Sequence, residues 1–229
     1  MTNFARYAIY YAPPPGGLTD FAALWLGWDP AGGRACPHPA LPGLPRPVAE
    51  LTESPRKYGF HGTLKPPFRL APGQNRAALE AALAALAATL APVTLPGLRL
   101  ARLGGFLALV VEGNTAPLAA LAAEVVARLD PFRAAPSEAE LTRRRAAGLT
   151  PAQQENLARW GYPYVMEEFR FHLTLTGALT QAEAEATRAA LSPVLAPLLP
   201  RPFILGDLGL FGEDDRGRFH LLHRVPLSG

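Results

Sequence analysis

Five residues, Phe60-His61-Gly62-Thr63-Leu64, return 111 positions later as Phe171-His172-Leu173-Thr174-Leu175, and nothing else in the 229 residues restricts the fold as much. Internal similarity of this kind is the signature of two related units, here two lobes that each contribute one copy. Both copies fall in runs that read as strands, residues 57–65 and 168–176, and each run is followed by a helical pattern. Successive strand side chains point to opposite faces. In the second copy Glu168, Arg170, His172, Thr174 and Thr176 therefore share one face, against Phe169, Phe171, Leu173 and Leu175. In the first, Lys57, Gly59, His61, Thr63 and Lys65 line up against Tyr58, Phe60, Gly62 and Leu64. Each strand is expected to bury one face and present His-x-Thr on the other.

The rest of the chain mixes strand pairs with single helices. Residues 6–12 read as an opening strand, and 18–28 as a helix with Thr19 or Asp20 as its cap. Residues 31–55 are dense in Pro and Gly and read as a surface loop. Leu79, Leu83, Leu86 and Leu90 make one stripe of a helix over 75–90, and 98–103 and 106–112 form a hairpin across Gly104-Gly105. A helix over 116–129 follows. Ser137 with Glu140, Thr150 with Gln153, and Thr180 with Glu183 are capping boxes that open three more helices, and 203–211 and 218–225 close the chain as strands. Without regular strand–helix alternation the fold class is α+β with antiparallel sheet. The expected organisation is a single bilobal domain over 1–229, with a helical insertion at about 131–166.

Composition narrows the function classes. Apolar residues at 49% and aromatics at 9% supply a core, which excludes wholesale disorder. No apolar run approaches the roughly 18–20 residues of a membrane span. The first residues lack a basic region followed by an apolar stretch, so no secretory signal is expected, and Cys36 has no disulfide partner. The expected location is the cytoplasm. A net charge of +3 is a weak field for nucleic acid and mildly favours an anionic ligand.

The repeated unit itself suggests a chemistry. An imidazole takes or gives a proton near neutral pH, and a hydroxyl two residues along the same face donates to a phosphoryl oxygen. Two such units facing each other offer a base, an acid and two hydroxyl donors around one phosphorus. That suits cleavage of a phosphodiester, above all a cyclic one, and it needs no metal. Two histidines without a third ligand also make a poor transition-metal site.

At these motifs the sequence resembles the two-histidine phosphoesterase superfamily, whose members carry His-x-Thr or His-x-Ser twice. Four segments, RYAIYYAP, KYGFHGTLKPPFRL, DPFRAAPSEAELTRRR and RWGYPYVMEEFRFHLTLTG, are similar to one branch of it, the phosphonate-metabolism proteins encoded beside carbon–phosphorus lyase genes. The resemblance implies a bilobal pseudo-twofold fold, with antiparallel sheets lining a central groove and helices outside. It implies His61 and His172 as the catalytic pair, with Thr63 and Thr174 holding the phosphoryl group and no cofactor. It also implies a small phosphorylated substrate, a cyclic phosphate or ribose derivative, so the expected activity is that of a cyclic phosphodiesterase. The 111-residue separation is long for the superfamily, and the two capped helices between Ser137 and Trp160 are the insertion responsible, as a lid or substrate wall.

Further candidates for phosphate binding are Lys57, Arg133 in an irregular segment, and Arg170 on the His172 face; Lys65 shares the His61 face. Arg143-Arg144-Arg145 reads as a solvated helical face rather than an anion site, and Tyr7 and Tyr10 as partly core, with one able to stack on a base or sugar. Two alternatives stand beside this reading. One is an enzyme that cleaves or ligates RNA ends through 2′,3′-cyclic phosphate; the other is a binding module that keeps the pocket without turnover. Which histidine is acid and which is base is open at the level of sequence.

Overall fold

The computed structural model describes residues 4–146 and 148–229, and opens with β1 (Arg6–Tyr11) and α1 (Gly17–Leu26). Helix α1 starts without a side-chain cap, because the Thr19 hydroxyl donates to the Pro14 carbonyl instead. Residues 31–55 hold more structure than a loop. The short strands β2 (Trp28–Asp29) and β3 (Arg34–Ala35) pair, and the single-turn helices α2 (Val48–Leu51) and α3 (Glu53–Arg56) follow. Burial of Val48 and Leu51 against the core fixes these turns, and the Leu51 carbonyl accepts the Gly177 N–H at 2.7 Å.

Next come β4 (Gly62–Phe68) and α4 (Arg76–Ala87), whose cap Asn75 accepts the Ala78 N–H and whose Leu79, Leu83 and Leu86 are buried. Strand β5 (Val93–Leu95) precedes the expected hairpin of β6 (Leu98–Leu103) and β7 (Phe106–Val111). Helix α5 (Ala116–Arg128) buries Leu118, Leu121, Val125 and Val126. All three capping boxes form, at α6 (Glu138–Arg145), at α7 (Pro151–Trp160) and, after β8 (His172–Thr174), at α8 (Gln181–Leu195). The chain ends with β9 (Phe203–Leu205), β10 (Asp207–Glu213) and β11 (Phe219–Pro226).

Seven strands form one antiparallel sheet in the order β11-β10-β1-β4-β8-β7-β6, which places the two motif strands side by side near its middle. Along β1, Tyr7, Ile9 and Tyr11 join the main core with leucines of α4, α5 and α8. Ala8, Tyr10 and Ala12 point the other way, into a small cluster with Phe211 and Phe219. The helix-covered face thus supplies the stability, and the opposite face becomes the floor of a groove. Among the described residues no helix is long and apolar enough to cross a membrane.

Both motif strands are shorter than their hydrophobic patterns suggest. Residues 57–61 lie in turns after α3, and the second strand is the three residues of β8, preceded by a 3-10 turn at Met166–Glu168. Lys57, Glu168 and Arg170 therefore do not follow strand parity.

Candidate active site

Strands β4 and β8 meet through the antiparallel pair Gly62↔Leu173. Directly opposed residues in such a pair point to the same face, and their neighbours to the other. The register therefore sets His61 across from Thr174 and Thr63 across from His172, all four away from Gly62 and Leu173. The two histidines are diagonal neighbours, a relation that spans about 7–8 Å in a regular ladder. The first copy has Gly where the second has Leu for a packing reason. The Phe171 ring lies over Gly62, and a Cβ there would stand 2.4 Å from its carbons.

Both imidazoles are held in one way. The Nδ1–H of His61 donates to the Gly59 carbonyl at 2.9 Å, and that of His172 to the Arg170 carbonyl at 2.7 Å. A carbonyl can only accept, so Nδ1 carries the proton and Nε2 is left for chemistry. Gly59 meets this need at φ 70°, a left-handed conformation, with Pro30 filling the place of a Cβ.

The surroundings of the two differ. The His61 ring lies 4.0 Å from that of Tyr10, centroid to centroid, and its Nε2 is 3.3 Å from the Thr63 hydroxyl. Desolvation pushes the His61 pKa down to about 4; the Gly59 carbonyl raises it and the neighbouring His172 lowers it further. His61 is therefore a neutral imidazole at neutral pH. His172 is half-buried beside Phe106, ring centroids 5.6 Å apart.

His61, Thr63 and Thr174 line a cavity of about 760 Å³ whose walls include Arg6, Lys57, Arg143 and Arg144 and no Asp or Glu. The Arg6 guanidinium is balanced by a two-point contact with Glu213. His172 lines an adjoining cavity of about 440 Å³ with Tyr164, Glu168, Phe169 and Arg170, and Thr63, Pro66, Phe106 and Tyr162 are common to both cavities. Among the described residues no group of three His, Cys, Asp or Glu is placed to hold a metal ion.

The other expected binders divide. Lys57 reaches the groove, from the end of α3 rather than from a strand. Arg170 stands beside His172, but its guanidinium donates to the Glu167 and Phe169 carbonyls at 3.0 and 2.8 Å, closing the turn whose own carbonyl holds His172. Arg133 is elsewhere: it binds both Asp130 oxygens at 2.7 and 3.1 Å and the Arg159 carbonyl at 3.1 Å. Its role is to tie α7 to the end of α5, which corrects its expected place in the site.

Lys65 also leaves the histidine face. Ile9 pairs with Lys65 and Tyr10 with Thr63, so one step along β1 spans two along β4; a second irregularity follows before the pair Tyr7↔Phe68. Each inserts an extra residue into β4 and inverts the parity beyond it. Lys65 consequently points with Ile9 into the helix-covered side, 1% exposed, donating to the Val126 carbonyl at 3.0 Å and to Asp130 at 3.4 Å. Burial lowers its pKa to about 8 against the opposing pull of Asp130. Conversely, Arg143 and Arg144, expected in solvent, line the groove, as do Arg6, Tyr58 and Tyr162. Their placement depends on contacts distant in sequence, and no local pattern marks them.

A family model described as Protein of unknown function (DUF1045) matches residues 63–220. A protein of Janthinobacterium sp. (strain Marseille) named ribose 1,5-bisphosphate phosphokinase PhnN is 37% identical over 234 residues, covering 99% of this chain and 52% of the relative. A protein of the same name from Laribacter hongkongensis (strain HLHK9) is 34% identical over 221 residues, covering 96% and 51%. The chain thus spans about half the length of these curated relatives. Among solved structures, one described as a phosphoesterase superposes with a TM-score of 0.45 at 18% identity, over 99% of this chain and 100% of that one. E. coli LigT complexed with NADP+ gives 0.46 at 16% identity, over 100% of both chains.

Proposed function

The chain belongs to the family described as protein of unknown function (DUF1045), and we propose that it is a phosphoesterase that hydrolyses a small cyclic phosphate by paired-histidine acid–base catalysis. The observation that carries this reading is the cavity wall. Two His–Thr units meet here with both imidazoles held by the same Nδ1–carbonyl bond. His61, Thr63 and Thr174 face a groove lined, among the described residues, by four cationic side chains and no carboxylate, and His172 faces the cavity that adjoins it.

In the proposed reaction His61, neutral and with Nε2 free to accept, takes a proton from water as the water oxygen bonds to phosphorus. The ring P–O bond breaks, and His172 delivers the Nε2 proton to the leaving oxygen. The product is a phosphomonoester, and solvent returns the proton from His61 to His172. Thr63 and Thr174 donate to the non-bridging oxygens, and Lys57 and Arg170 offset their charge. No metal takes part in this scheme.

The ribose 1,5-bisphosphate in the relatives' name fits a small phosphorylated sugar as substrate. We place the phosphokinase activity of that name in the half of the relatives that this chain does not span. Neither lysine here follows the Gly-rich turn of a triphosphate cradle, and Lys65 is held against Asp130 on the far side of the sheet.

The test is turnover, in EDTA, of 2′,3′-cyclic nucleotides, ribose 1,2-cyclic phosphate and an aryl phosphodiester by wild type, His61→Ala and His172→Ala. Turnover lost in both variants supports the proposal. A wild type that is inert on the whole panel, yet melts at higher temperature with a phosphorylated ligand, is a binding module instead.

A further inference from the structure

Helix α6 has no buried residue. What places it over the groove is polar: Arg69 binds both Glu140 oxygens at 3.1 and 2.6 Å, and the Arg144 guanidinium lies 4.7 Å from the Tyr162 ring centroid. A helix that buries nothing adds little to the core, since most helical stability in proteins comes from a packed apolar face. What α6 brings to the groove is a pair of guanidinium groups, Arg143 and Arg144.

Those groups are not satisfied as their neighbours are. Arg6, Arg69 and Arg133 each hold a carboxylate, whereas Lys57, Arg143 and Arg144 form no ion pair among the described residues. The Arg144 Nε is buried without a hydrogen-bond partner from the described residues. Basic residues in a last helical turn complement the helix dipole, and Arg145, which does not line the cavity, serves that purpose. The dipole does not account for two guanidinium groups that line a cavity with no carboxylate partner among the described residues. The cavity is also large for one phosphoryl group: about 760 Å³ lies within the roughly 300–1,000 Å³ that accommodates a whole small ligand.

We propose that Arg143 and Arg144 form a second anion subsite, which takes a terminal phosphomonoester of the same molecule whose cyclic phosphate sits at the histidines. The inference rests on the phosphoesterase reading and narrows it: the substrate is a small sugar bearing a cyclic phosphodiester and, several bonds away, a phosphomonoester. A phosphomonoester carries about −1.5 to −2 charges near pH 7, which matches two guanidinium groups.

The experiment compares ribose 1,2-cyclic phosphate with its 5-phosphorylated form. The added phosphate raises kcat/KM of the wild type by about 10- to 100-fold, the worth of charge-assisted hydrogen bonding. The ratio falls towards one in Arg143→Gln/Arg144→Gln, and Arg144→Lys, which keeps the charge, restores part of it. Equal kcat/KM for the two compounds in the wild type, or a ratio unmoved by the double variant, overturns the subsite while leaving the phosphoesterase reading intact. If neither compound is turned over, that reading fails, and ribose 5-phosphate binding measured by calorimetry judges the subsite. A Kd weakened in the double variant, with its melting transition retained, supports it; an unchanged Kd overturns it.

Discussion

His61 and His172 are held by the same bond, an Nδ1–H donated to a carbonyl two residues upstream, yet they face different surroundings. His61 is packed against Tyr10, looks into the cationic cavity and has its pKa driven down to about 4 by desolvation. His172 sits beside Phe106 on the more apolar cavity, its carbonyl anchor fixed by the Arg170 side chain. The repeat supplies two equivalent, half-buried imidazoles; what packs against each then divides their work. An imidazole held neutral is ready to accept a proton, so in the proposed reaction His61, packed on Tyr10, is the base and His172, at the leaving-group side, is the acid.

The largest expected effect breaks the pair. His61→Ala and His172→Ala should each lower kcat by about 10²- to 10⁴-fold, the usual span of general acid–base catalysis. Steady-state kinetics in which one of them stays near wild type would show that a single copy carries the chemistry. Next comes the packing difference between the copies. Gly62→Ala forces the Phe171 ring aside, as overpacking does, at about 1–3 kcal/mol in urea unfolding. An unchanged midpoint would mean that the ring does not rest on Gly62.

The acid-side stability sharpens the account of His61. The His61 pKa is lower in the folded state than the ordinary value near 6.5, so between the two the unfolded chain binds more protons. The stabilisation is complete above about pH 6.5 and is lost as pH falls towards about 4. His61→Gln should flatten the melting temperature between pH 7 and pH 4.5, and an equally steep profile would contradict a desolvated His61. The smallest effect concerns Lys65, which the bulges turn away from the groove. Lys65→Met should leave kcat as it is, and a large loss would return that side chain to the histidine face.

The parts of this site that were legible in the sequence are those that local signals encode. The two His-x-Thr units, the Gly104-Gly105 hairpin and the three capping boxes each need only a few consecutive residues, and the structure has them all. Lys65 departs from its expected face because strand parity assumes an unbroken ladder, and β4 carries two irregularities. The clue was Pro66-Pro67, since proline cannot donate to a ladder and is confined to edges and bulges. Arg143 and Arg144 line the groove because Arg69, 71 residues from Glu140, holds α6 there, a partnership that no periodicity announces. Arg133 departs from its expected place for the opposite reason: an irregular segment marks a binding loop and a structural clasp equally well, and here it holds Asp130 and the Arg159 carbonyl.

The division of labour between the copies is tested most directly by leaving-group dependence. Matched phosphodiesters with an alkyl and a nitrophenyl leaving group should be compared across wild type, His61→Ala and His172→Ala. A nitrophenolate departs without a proton, so His172→Ala should recover most of its lost rate on the nitrophenyl substrate, while His61→Ala stays equally impaired on both. If His61→Ala is the variant rescued, or if the two variants respond alike, the assignment of His61 as base is wrong.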